Sequence, residues 1–546
     1  MNMKRISLYF FAILLMASCC KIRNRGAELS ASAEYENYEP EFEPDPEIQD
    51  DRSFNTERYE EIVENDFKSA ETDPISVFSV DVDNASYSNV RRFLSSNQMP
   101  APGSVRIEEM INYFPYTYPQ PSGVEPIAIH TELSRCDWNQ DHELLKIGIK
   151  AKEVNVATMP SNNLVFLLDV SGSMYDENKL PLLVNSFKML ASQLRRNDYV
   201  SIVTYAGYDE VKLEPTACDS DGKEKILKVL EGLSASGSTR GFNALEKAYD
   251  LAQEHFISGG NNRILLATDG DFNVGPSSDA ALVELVEEKA KSGIFITVLG
   301  YGMYNLNDSM MEKISNAGNG NYFYIDNMSE AKKALGTGLW GNLFVVAKDV
   351  KVLVDFNPNI VKSYRLIGYE NRMLANEDFD NDKKDAGDMG SGHTVTAIYE
   401  LVTASSKKQI QNTSTKSEYT KSTSTGDTEN YLTVKFRYKN PQDTVSQLVE
   451  KKVNKSTFTE KPSSDFILAS SVASFGMLLR GSKYAGDATY DSVLEHLKDI
   501  PSDPNGYVND LRTLVRKAND LDKKNGANKA DDLNKEEEAS APQAVY

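Results

Sequence analysis

The sequence predicts an α/β protein in which a doubly wound, parallel-sheet domain is inserted in or flanked by a β-rich domain, with a helical segment at the C-terminus. Short apolar runs alternate with amphipathic helical patterns between residues 163 and 325, as in parallel sheets covered by helices on both faces. Segments of alternating polar and apolar residues, typical of antiparallel strands, lie on both sides of this region. At 546 residues the chain is too long for one hydrophobic core, so we expect several domains.

Residues 1–18 are predicted to be an export signal rather than part of the fold. Lys4 and Arg5 precede an apolar run, 6–16, which is short for a bilayer span. The Met-Ala-Ser-Cys sequence at 16–19 resembles the lipobox of bacterial lipoproteins. That resemblance implies cleavage before Cys19 and acylation of this residue, so that the protein would be membrane-anchored in the bacterial cell envelope, periplasmic or surface-exposed. An ordinary secretory signal is the alternative.

Residues 19–72 are predicted to form an acidic, disordered linker. The piece AEYENYEPEFEPDPEIQDD is rich in Glu, Asp and Pro and is too polar to bury a core. Repulsion between its like charges would keep it extended.

Residues 73–160 are predicted to form an N-terminal module followed by an antiparallel pair of strands. The module begins with a strand, a turn and an amphipathic helix that ends at Pro100, and a second short helix is broken by Pro115. The Asp-Val-Asp at 81–83 superficially resembles a phosphatase nucleophile motif of the haloacid dehalogenase type. We do not assign that activity, because the lysine and acidic pair that such chemistry needs have no convincing strand–loop positions.

The parallel-sheet domain is predicted over residues 161–338. Its strands are expected at 163–169, 199–205, 263–268 and 294–299, with 321–325 at one edge. Helical patterns alternate with them at 179–195, 223–233, 241–256, 278–291 and 308–317. In open α/β sheets, ligands bind beyond the carboxyl ends of the strands.

Oxygen-bearing side chains follow two of these strands. The segment LVFLLDVSGSM, 164–174, contains Asp169, Ser171 and Ser173, and RILLATD, 263–269, ends at Asp269. Thr239 lies between them, in a Gly/Ser loop that runs into a helix. Carboxylates and hydroxyls are hard ligands that suit a cation such as Mg²⁺, which keeps several waters.

The order D-x-S-x-S, Thr, T-D-G resembles the von Willebrand factor type A (VWA) domain and its metal-ion-dependent adhesion site (MIDAS). The resemblance implies one Mg²⁺, with Mn²⁺ or Ca²⁺ as the alternatives, surrounded by Asp169, Ser171, Ser173, Thr239 and Asp269. It also implies an open coordination position that a carboxylate of a partner protein fills. Bulky residues at 240 and 242 depart from the small or polar residues commoner there, which bears on ligand preference.

The segments on either side of this domain carry a second resemblance. The stretches 78–114 and 364–401 resemble the regions that precede and follow the VWA domain in a bacterial family of VWA-containing lipoproteins, where the following region is a domain of unknown function. The resemblance covers about residues 75–520.

Residues 339–460 are predicted to be β-rich, with strands in LFVVAKDVKVLVDF, HTVTAIYELV and YLTVKFRYK. Because similar strands precede the VWA segment, we expect one shared β-domain that the VWA segment interrupts. Separate sheets for 126–153 and 343–440 would contradict this.

An acidic loop lies within the β-rich region. It crowds five aspartates together, Asp378, Asp380, Asp382, Asp385 and Asp388. Alternating aspartates with glycine are able to wrap Ca²⁺, although the spacing differs from that of an EF-hand. A solvated acidic turn is the alternative.

Residues 461–525 are predicted to be a helical segment, and 526–546 a disordered tail. The nearly continuous apolar stretch FILASSVASFGMLLRG is interpreted as a core helix, because it is short for a membrane span.

Composition and motifs narrow the function. The net charge of −22 argues against nucleic acid as a partner. No H-E-x-x-H pair, G-x-S-x-G elbow or P-loop is present. His393, in Gly-Ser-Gly-His, is the one histidine that merits a test, with a packing role as the alternative. Cys136 and Cys218 would be able to pair in an exported protein, and the sequence leaves this open.

The favoured hypothesis is a lipid-anchored cell-envelope protein, not an enzyme, that binds an acidic side chain of a protein partner through its MIDAS. One alternative is a metal-dependent envelope hydrolase, for which Asp271 is the nearest candidate base. The other is an envelope scaffold with a vestigial metal site.

Overall fold

The N-terminal part of the chain supplies strands and helices that lie outside the central sheet. The structure, a computed structural model, describes residues 57–80, 83–238, 242–270, 279–303, 306–384, 386–406 and 429–540, with side chains as far as 525. The first elements are β1 (Lys68–Ser69), β2 (Ile75–Ser79), α1 (Ala85–Ser95), α2 (Ile107–Asn112), β3 (Ile127–Arg135) and β4 (Glu143–Ala151).

The central sheet has six strands, in the order β10-β9-β8-β5-β6-β7. They are β5 (Asn162–Asp169), β6 (Tyr199–Tyr205), β7 (Asp209–Ala217), β8 (Asn261–Thr268), β9 (Ile294–Tyr301) and β10 (Tyr322–Ile325). Five strands are parallel and β7 is antiparallel to β6. The predicted parallel strands are confirmed. Strand β7 was not predicted, because this half-exposed edge strand lacks a continuous apolar run.

Helices cover both faces of this sheet. They are α3 (Leu180–Gln193), α4 (Ser220–Glu231), α5 (Phe242–Glu254), α6 (Asp279–Lys291) and α7 (Asp308–Ala317). Strand β5 shows why two layers are needed: Leu164, Phe166 and Leu168 pack with α3, whereas Val165 and Leu167 pack with α5. Because side chains alternate between the faces of a strand, an all-apolar strand must be covered on both sides.

A β-sandwich surrounds the insertion point of the central domain. The chain reaches it through α8 (Met328–Lys332), a π-helical turn at Lys333–Thr337 and α9 (Leu339–Leu343). Its later strands are β11 (Val345–Phe356), β12 (Val361–Ile367), β13 (Gly387–Gly390), β14 (Thr394–Thr403), β15 (Asn430–Lys439) and β16 (Gln447–Asn454). One sheet has the order β1-β12-β14-β4-β3, and the other has β13-β11-β15-β16 with β2 beside β11.

The two sheets of the sandwich enclose one core. Phe356 and Tyr364, from different sheets, stack with ring centroids 3.8 Å apart. Strand β4, before the VWA segment, pairs with β14, after it. The strands on both sides of the VWA segment therefore share a sheet, as the sequence predicts.

Three C-terminal helices pack against the N-terminal ones. They are α10 (Ser464–Arg480), α11 (Tyr490–Leu497) and α12 (Tyr507–Ser540). Helix α10 is almost entirely buried, and Gly476 on it leaves room for Ile107 of α2. The interpretation of its apolar stretch as core is thus confirmed. Among the described residues, none of the helices is both long enough and apolar enough to span a bilayer.

Buried ion pairs join the N-terminal helices to the VWA domain. Arg91 of α1 contacts Asp326 at 2.5 Å and Glu330 at 2.8 Å. Arg106, before α2, contacts Glu109 on its own helix and Asp308 of α7 at 2.5 Å. Asp510, 3.6 Å from Arg91, and Glu312, 3.8 Å from Arg106, are further contacts, so each guanidinium lies among three carboxylates.

The predicted linker of 19–72 is wrong from residue 57 onward. Strand β1 pairs with β12, and Glu57 forms a buried ion pair with Arg92 at 2.7 Å. Sequence composition did not reveal this because the segment contributes backbone pairing and one charge, not an apolar run. The earlier part of the predicted linker and the signal segment lie outside the described residues.

The predicted disordered tail of 526–546 is also corrected, because α12 continues to Ser540. This region contains several Ala, Lys and Glu residues, which are strong helix formers, so it extends the helix that begins on the core. The two cysteines of the described fold, Cys136 and Cys218, are both free and buried, in different hydrophobic clusters.

Candidate metal centre at the end of the central sheet

Two aspartates lie where neighbouring strands end. Asp169 is the last residue of β5, and Asp269 directly follows β8, the strand that pairs with β5 in parallel. Both residues are fully buried, with 0% exposure. Parallel neighbours carry their carboxyl ends to the same edge, which explains how residues far apart in sequence meet.

The loop after β5 turns its two serines toward the same place. The Ser171 backbone N–H donates to Asp169 Oδ1 at 2.9 Å, and the hydroxyls of Ser171 and Ser173 are 3.0 Å apart. The loop is also tied to the segment that leads to residue 239, because Gly172 N–H donates to the carbonyl of Gly237 at 2.9 Å. Gly237 has a φ of +79°, a left-handed conformation that glycine adopts without strain.

The electrostatics of this cluster favour a cation. Burial and the neighbouring charge of Asp269 raise the pKa of Asp169 to about 7. A protein cation is already close, because Lys179 Nζ donates to Asp269 Oδ2 at 3.0 Å from a buried position. Tyr205, which ends β6 opposite Asp169 in the register, also interacts with the Asp169 carboxyl.

These side chains fit a hard divalent cation. Asp169, Ser171, Ser173 and Asp269 offer two carboxylates and two hydroxyls within one buried strand-end cluster, the donor set that Mg²⁺ prefers. Thr239 and Asp271 lie outside the described residues, so their predicted roles stay predictions.

Sequence reasoning missed Lys179 and Tyr205. A signal for Tyr205 existed, since it ends the strand next to β5 and so shares the edge where Asp169 lies. Lys179 had no such signal, because only the path of the loop into α3 brings its ammonium to Asp269.

A second group of carboxylates has a structural explanation. Asp83, Glu109 and Glu312 have oxygen atoms within 4.8 Å of one another. Arginines lie between them: Arg372 contacts Asp83 at 3.2 Å, and Arg106 contacts Glu109 and Glu312. These guanidinium groups supply the positive charge that a metal would otherwise bring. Asp83 is thus held in an ion pair, and its neighbours 81 and 82 lie outside the described residues.

The acidic loop that was predicted as a possible calcium site also contacts an arginine. Arg437 of β15 donates to Asp380 at 2.7 Å and to Asp382 at 3.1 Å. Asp378 offers its backbone carbonyl to Lys351 at 3.0 Å, and Asp388 accepts from the Asp349 N–H at 3.2 Å. Asp385 lies outside the described residues.

His393 packs between the sandwich and α9. A ring nitrogen, Nε2, lies 3.0 Å from the side-chain oxygen of Asn342. Burial lowers the pKa of His393 to about 4, so it stays neutral at physiological pH.

Three protein families match successive parts of the chain. Residues 53–146 match "von Willebrand factor", 163–336 match "von Willebrand factor type A domain", and 341–521 match "Uncharacterized protein YfbK, C-terminal". A VWA domain indicates a function in protein interaction or adhesion, and VWA domains commonly bind a divalent metal at the MIDAS.

Individual proteins show the same relationship. The chain is 40% identical over 474 residues to "Uncharacterized protein YfbK" of Escherichia coli strain K12, covering 85% of this chain and 81% of that protein. It is 26% identical over 162 residues to "Inter-alpha-trypsin inhibitor heavy chain H3" of Pongo abelii, which covers 28% of this chain and 18% of that protein.

Among solved structures, "von Willebrand factor type A from Catenulispora acidiphila" aligns with 73% of this chain and 99% of its own, at 14% identity and a TM-score of 0.40. The match to the Escherichia coli protein extends over most of both chains and includes both segments that flank the VWA domain. The chain therefore belongs to the YfbK family, with a VWA domain between a von Willebrand factor module and a YfbK C-terminal domain.

Proposed function

We propose that this chain is a lipid-anchored protein of the bacterial cell envelope that binds an acidic side chain of a protein partner through a Mg²⁺-dependent site. The observation that supports it is the buried pair of carboxylates, Asp169 and Asp269, at the strand ends with two serine hydroxyls beside them. Mg²⁺ held there would leave a coordination position for a carboxylate supplied by the partner.

The chain's own residues would act by holding and orienting. Asp169 is fixed by the Ser171 N–H, so it needs little reorganisation when a cation arrives. Lys179 holds Asp269, and an arriving cation would compete with its ammonium for that carboxylate. Ser173 is exposed, which places one hydroxyl of the cluster on the surface where a partner would dock. Thr239 is expected to complete the set.

Binding is proposed rather than hydrolysis because of the groups around the cluster. Within the described part of the chain, Asp169 and Asp269 contact groups of serine, threonine, tyrosine and lysine residues. A lysine that neutralises a ligand carboxylate positions it and does not activate water.

Calorimetric titration of Mg²⁺ and Mn²⁺ into the purified chain tests the metal site. We expect saturable binding by the parent and its loss in Asp169→Ala. Asp250→Ala is the matched control, because it makes the same change at an exposed position of α5 in the same domain. Equal binding by the parent and Asp169→Ala would contradict the proposed site.

A second experiment tests partner capture. Partner proteins retained from an envelope fraction by the parent should be released by EDTA and absent from Asp169→Ala and from Ser171→Ala with Ser173→Ala. Capture that persists in both variants would instead support the scaffold alternative.

Lipid anchoring is tested separately, by metabolic labelling with an alkyne fatty acid. We expect Cys19→Ala to abolish labelling and membrane association, whereas Cys20→Ala keeps both. Labelling that survives Cys19→Ala would contradict the proposed anchor.

A further inference from the structure

The opposite end of strand β8 buries a cation that forms no ion pair with the described residues. Arg263 is the third residue of β8 and is only 2% exposed. Its Nη1 donates to the hydroxyl of Thr297 at 2.8 Å, and its guanidinium lies over the ring of Phe295 at 5.4 Å. Its Nε has no acceptor in the part of the chain that the structure describes. Arg263 forms no ion pair there, and burial lowers its pKa more than the charge of Asp388 raises it.

This arrangement costs free energy unless something else compensates. A buried guanidinium without a paired anion loses its hydration and gains only one neutral hydrogen bond. Burial accordingly lowers the pKa of Arg263 to about 10. The buried arginines at the junction of the N-terminal helices differ, because Arg91 and Arg106 each contact three carboxylates.

Arg263 forms part of the wall of a cleft of about 220 Å³ between the VWA domain and the sandwich. The other walls are mainly polar and rich in amides; they include Asn316, Asn321 and Asn342. Arg372 adds a second guanidinium, which is already held by Asp83 and by Asn316. Asp388 also lines the cleft, and its carboxylate accepts a hydrogen bond from the Asp349 N–H.

We infer that this cleft binds a small oxyanion, a free phosphate or the carboxylate of a small metabolite, which Arg263 recognises through its guanidinium. Two observations carry the inference together: the unpaired, buried Nε of Arg263 and the polar cleft that this residue lines. Side-chain amides donate hydrogen bonds to oxyanions, and a guanidinium pairs with them through two N–H groups.

The volume limits the ligand. A cleft of about 220 Å³ holds an inorganic ion or a metabolite of a few heavy atoms, and is small beside the pockets that take drug-sized ligands. Because its walls come from β8, the α7–β10 loop and the sandwich, a bound anion would bridge the VWA domain and the domain that surrounds it.

The experiment is a thermal-unfolding and calorimetric titration of the full chain with phosphate, sulfate and malonate, at constant ionic strength set with sodium chloride. We expect saturable binding of phosphate or of malonate and a rise in the unfolding temperature with that anion. The anion that binds identifies the ligand as a phosphate or a carboxylate. Sulfate has the tetrahedral shape of phosphate, so a comparison of the two affinities separates the effect of the anion's shape from that of its charge.

Three variants make the test specific. Arg263→Met keeps an apolar stem of similar length over Phe295 and should weaken anion binding at least a hundredfold. Arg263→Lys keeps the positive charge but not the paired N–H groups of the guanidinium, and it should weaken anion binding about tenfold. Arg135→Met, at an exposed position on β3, is the matched control and should bind as the parent does.

The result that overturns the inference is the absence of saturable binding of all three anions by the parent, or equal binding by the parent and both Arg263 variants. If Arg263→Met does not fold, Arg263→Lys decides. The Mg²⁺ titration of the same proteins is independent, because Asp169 and Asp269 lie at the other end of the sheet.

Discussion

The two ends of strand β8 bury charges of opposite sign. At the carboxyl end, Asp269 and the neighbouring Asp169 share one ammonium, that of Lys179. At the amino end, Arg263 has a hydroxyl and an aromatic ring. One strand thus presents a site suited to a cation at one edge and a site suited to an anion at the other.

The junction between the N-terminal helices and the VWA domain shows the contrasting case. There Arg106 and Arg91 are surrounded by carboxylates from both sides of the junction. The buried charges at this junction have partners on the same chain and hold its parts together. For Arg263, which forms no such ion pair with the described residues, we infer a ligand.

The largest effect on stability is expected for a substitution of Arg106. Arg106→Met should lower the free energy of unfolding by about 3–5 kcal/mol, because it leaves Glu109 and Asp308 buried without their cation. Arg263→Met should cost about 1 kcal/mol or less, because no carboxylate loses a partner. Differential scanning calorimetry of both variants beside the parent measures the difference. Equal losses would show that Arg263 is a structural residue like Arg106.

A second prediction concerns Glu108, a carboxyl with a buried oxygen, Oε2, that lacks a partner. Burial and then the charge of Glu370 raise the pKa of Glu108 to about 7. The folded protein therefore binds this proton more tightly than the unfolded chain does, so the contribution to stability falls as pH rises from about 4 to about 7.

Glu108→Gln removes that loss. We expect it to stabilise the fold at pH 8 by about 2–3 kcal/mol, at about 1.4 kcal/mol per pKa unit, and to have little effect at pH 4. Unfolding temperatures at both pH values measure this, with Glu284→Gln on the exposed side of α6 as the control. An effect of the variant that is the same at both pH values would show that folding does not raise the pKa of this carboxyl.

A third, smaller effect is expected on the affinity of the metal centre for Mg²⁺. Lys179→Met should increase the affinity for Mg²⁺ about tenfold, or about 1.4 kcal/mol, because the ammonium competes with the metal for Asp269. Isothermal titration calorimetry of the variant and the parent checks it. Weaker binding by the variant would mean that Lys179 serves mainly to orient Asp269.

The smallest effect is expected in the acidic loop. The side chain of Asp380 is 83% exposed, so Asp380→Asn should change the free energy of unfolding by less than about 0.5 kcal/mol despite the contact with Arg437. Unfolding temperatures with and without Ca²⁺ complete the test. A rise with Ca²⁺ in the parent that disappears in the variant would show that the loop binds calcium.

The central sheet was predictable because its parallel strands contain long apolar runs that polar residues follow. Asp169, Ser171, Ser173 and Asp269 followed from those strand ends. Strand β7 was not predictable in the same way, since an exposed edge has no apolar run, and neither was the packing of residues 57–72.

The remaining features depend on contacts between distant parts of the chain. Lys179 reaches Asp269 only through the course of a loop. The lack of an ion pair between Arg263 and the other described residues depends on which residues surround it in the folded protein. The local sequence pattern indicates which residues are buried and which secondary structure they form, but not which charged side chains contact one another in the fold.

The pairing of β4 with β14 has a consequence for biosynthesis. Lys150 and Thr394 are partners in that ladder, and the whole VWA domain is translated between them. The sandwich therefore cannot close until the VWA domain has left the ribosome, and bringing such distant strands together through an unfolded segment would carry a large loop-closure entropy. A VWA domain that folds first shortens this loop, so it lowers the entropic cost of pairing β4 with β14.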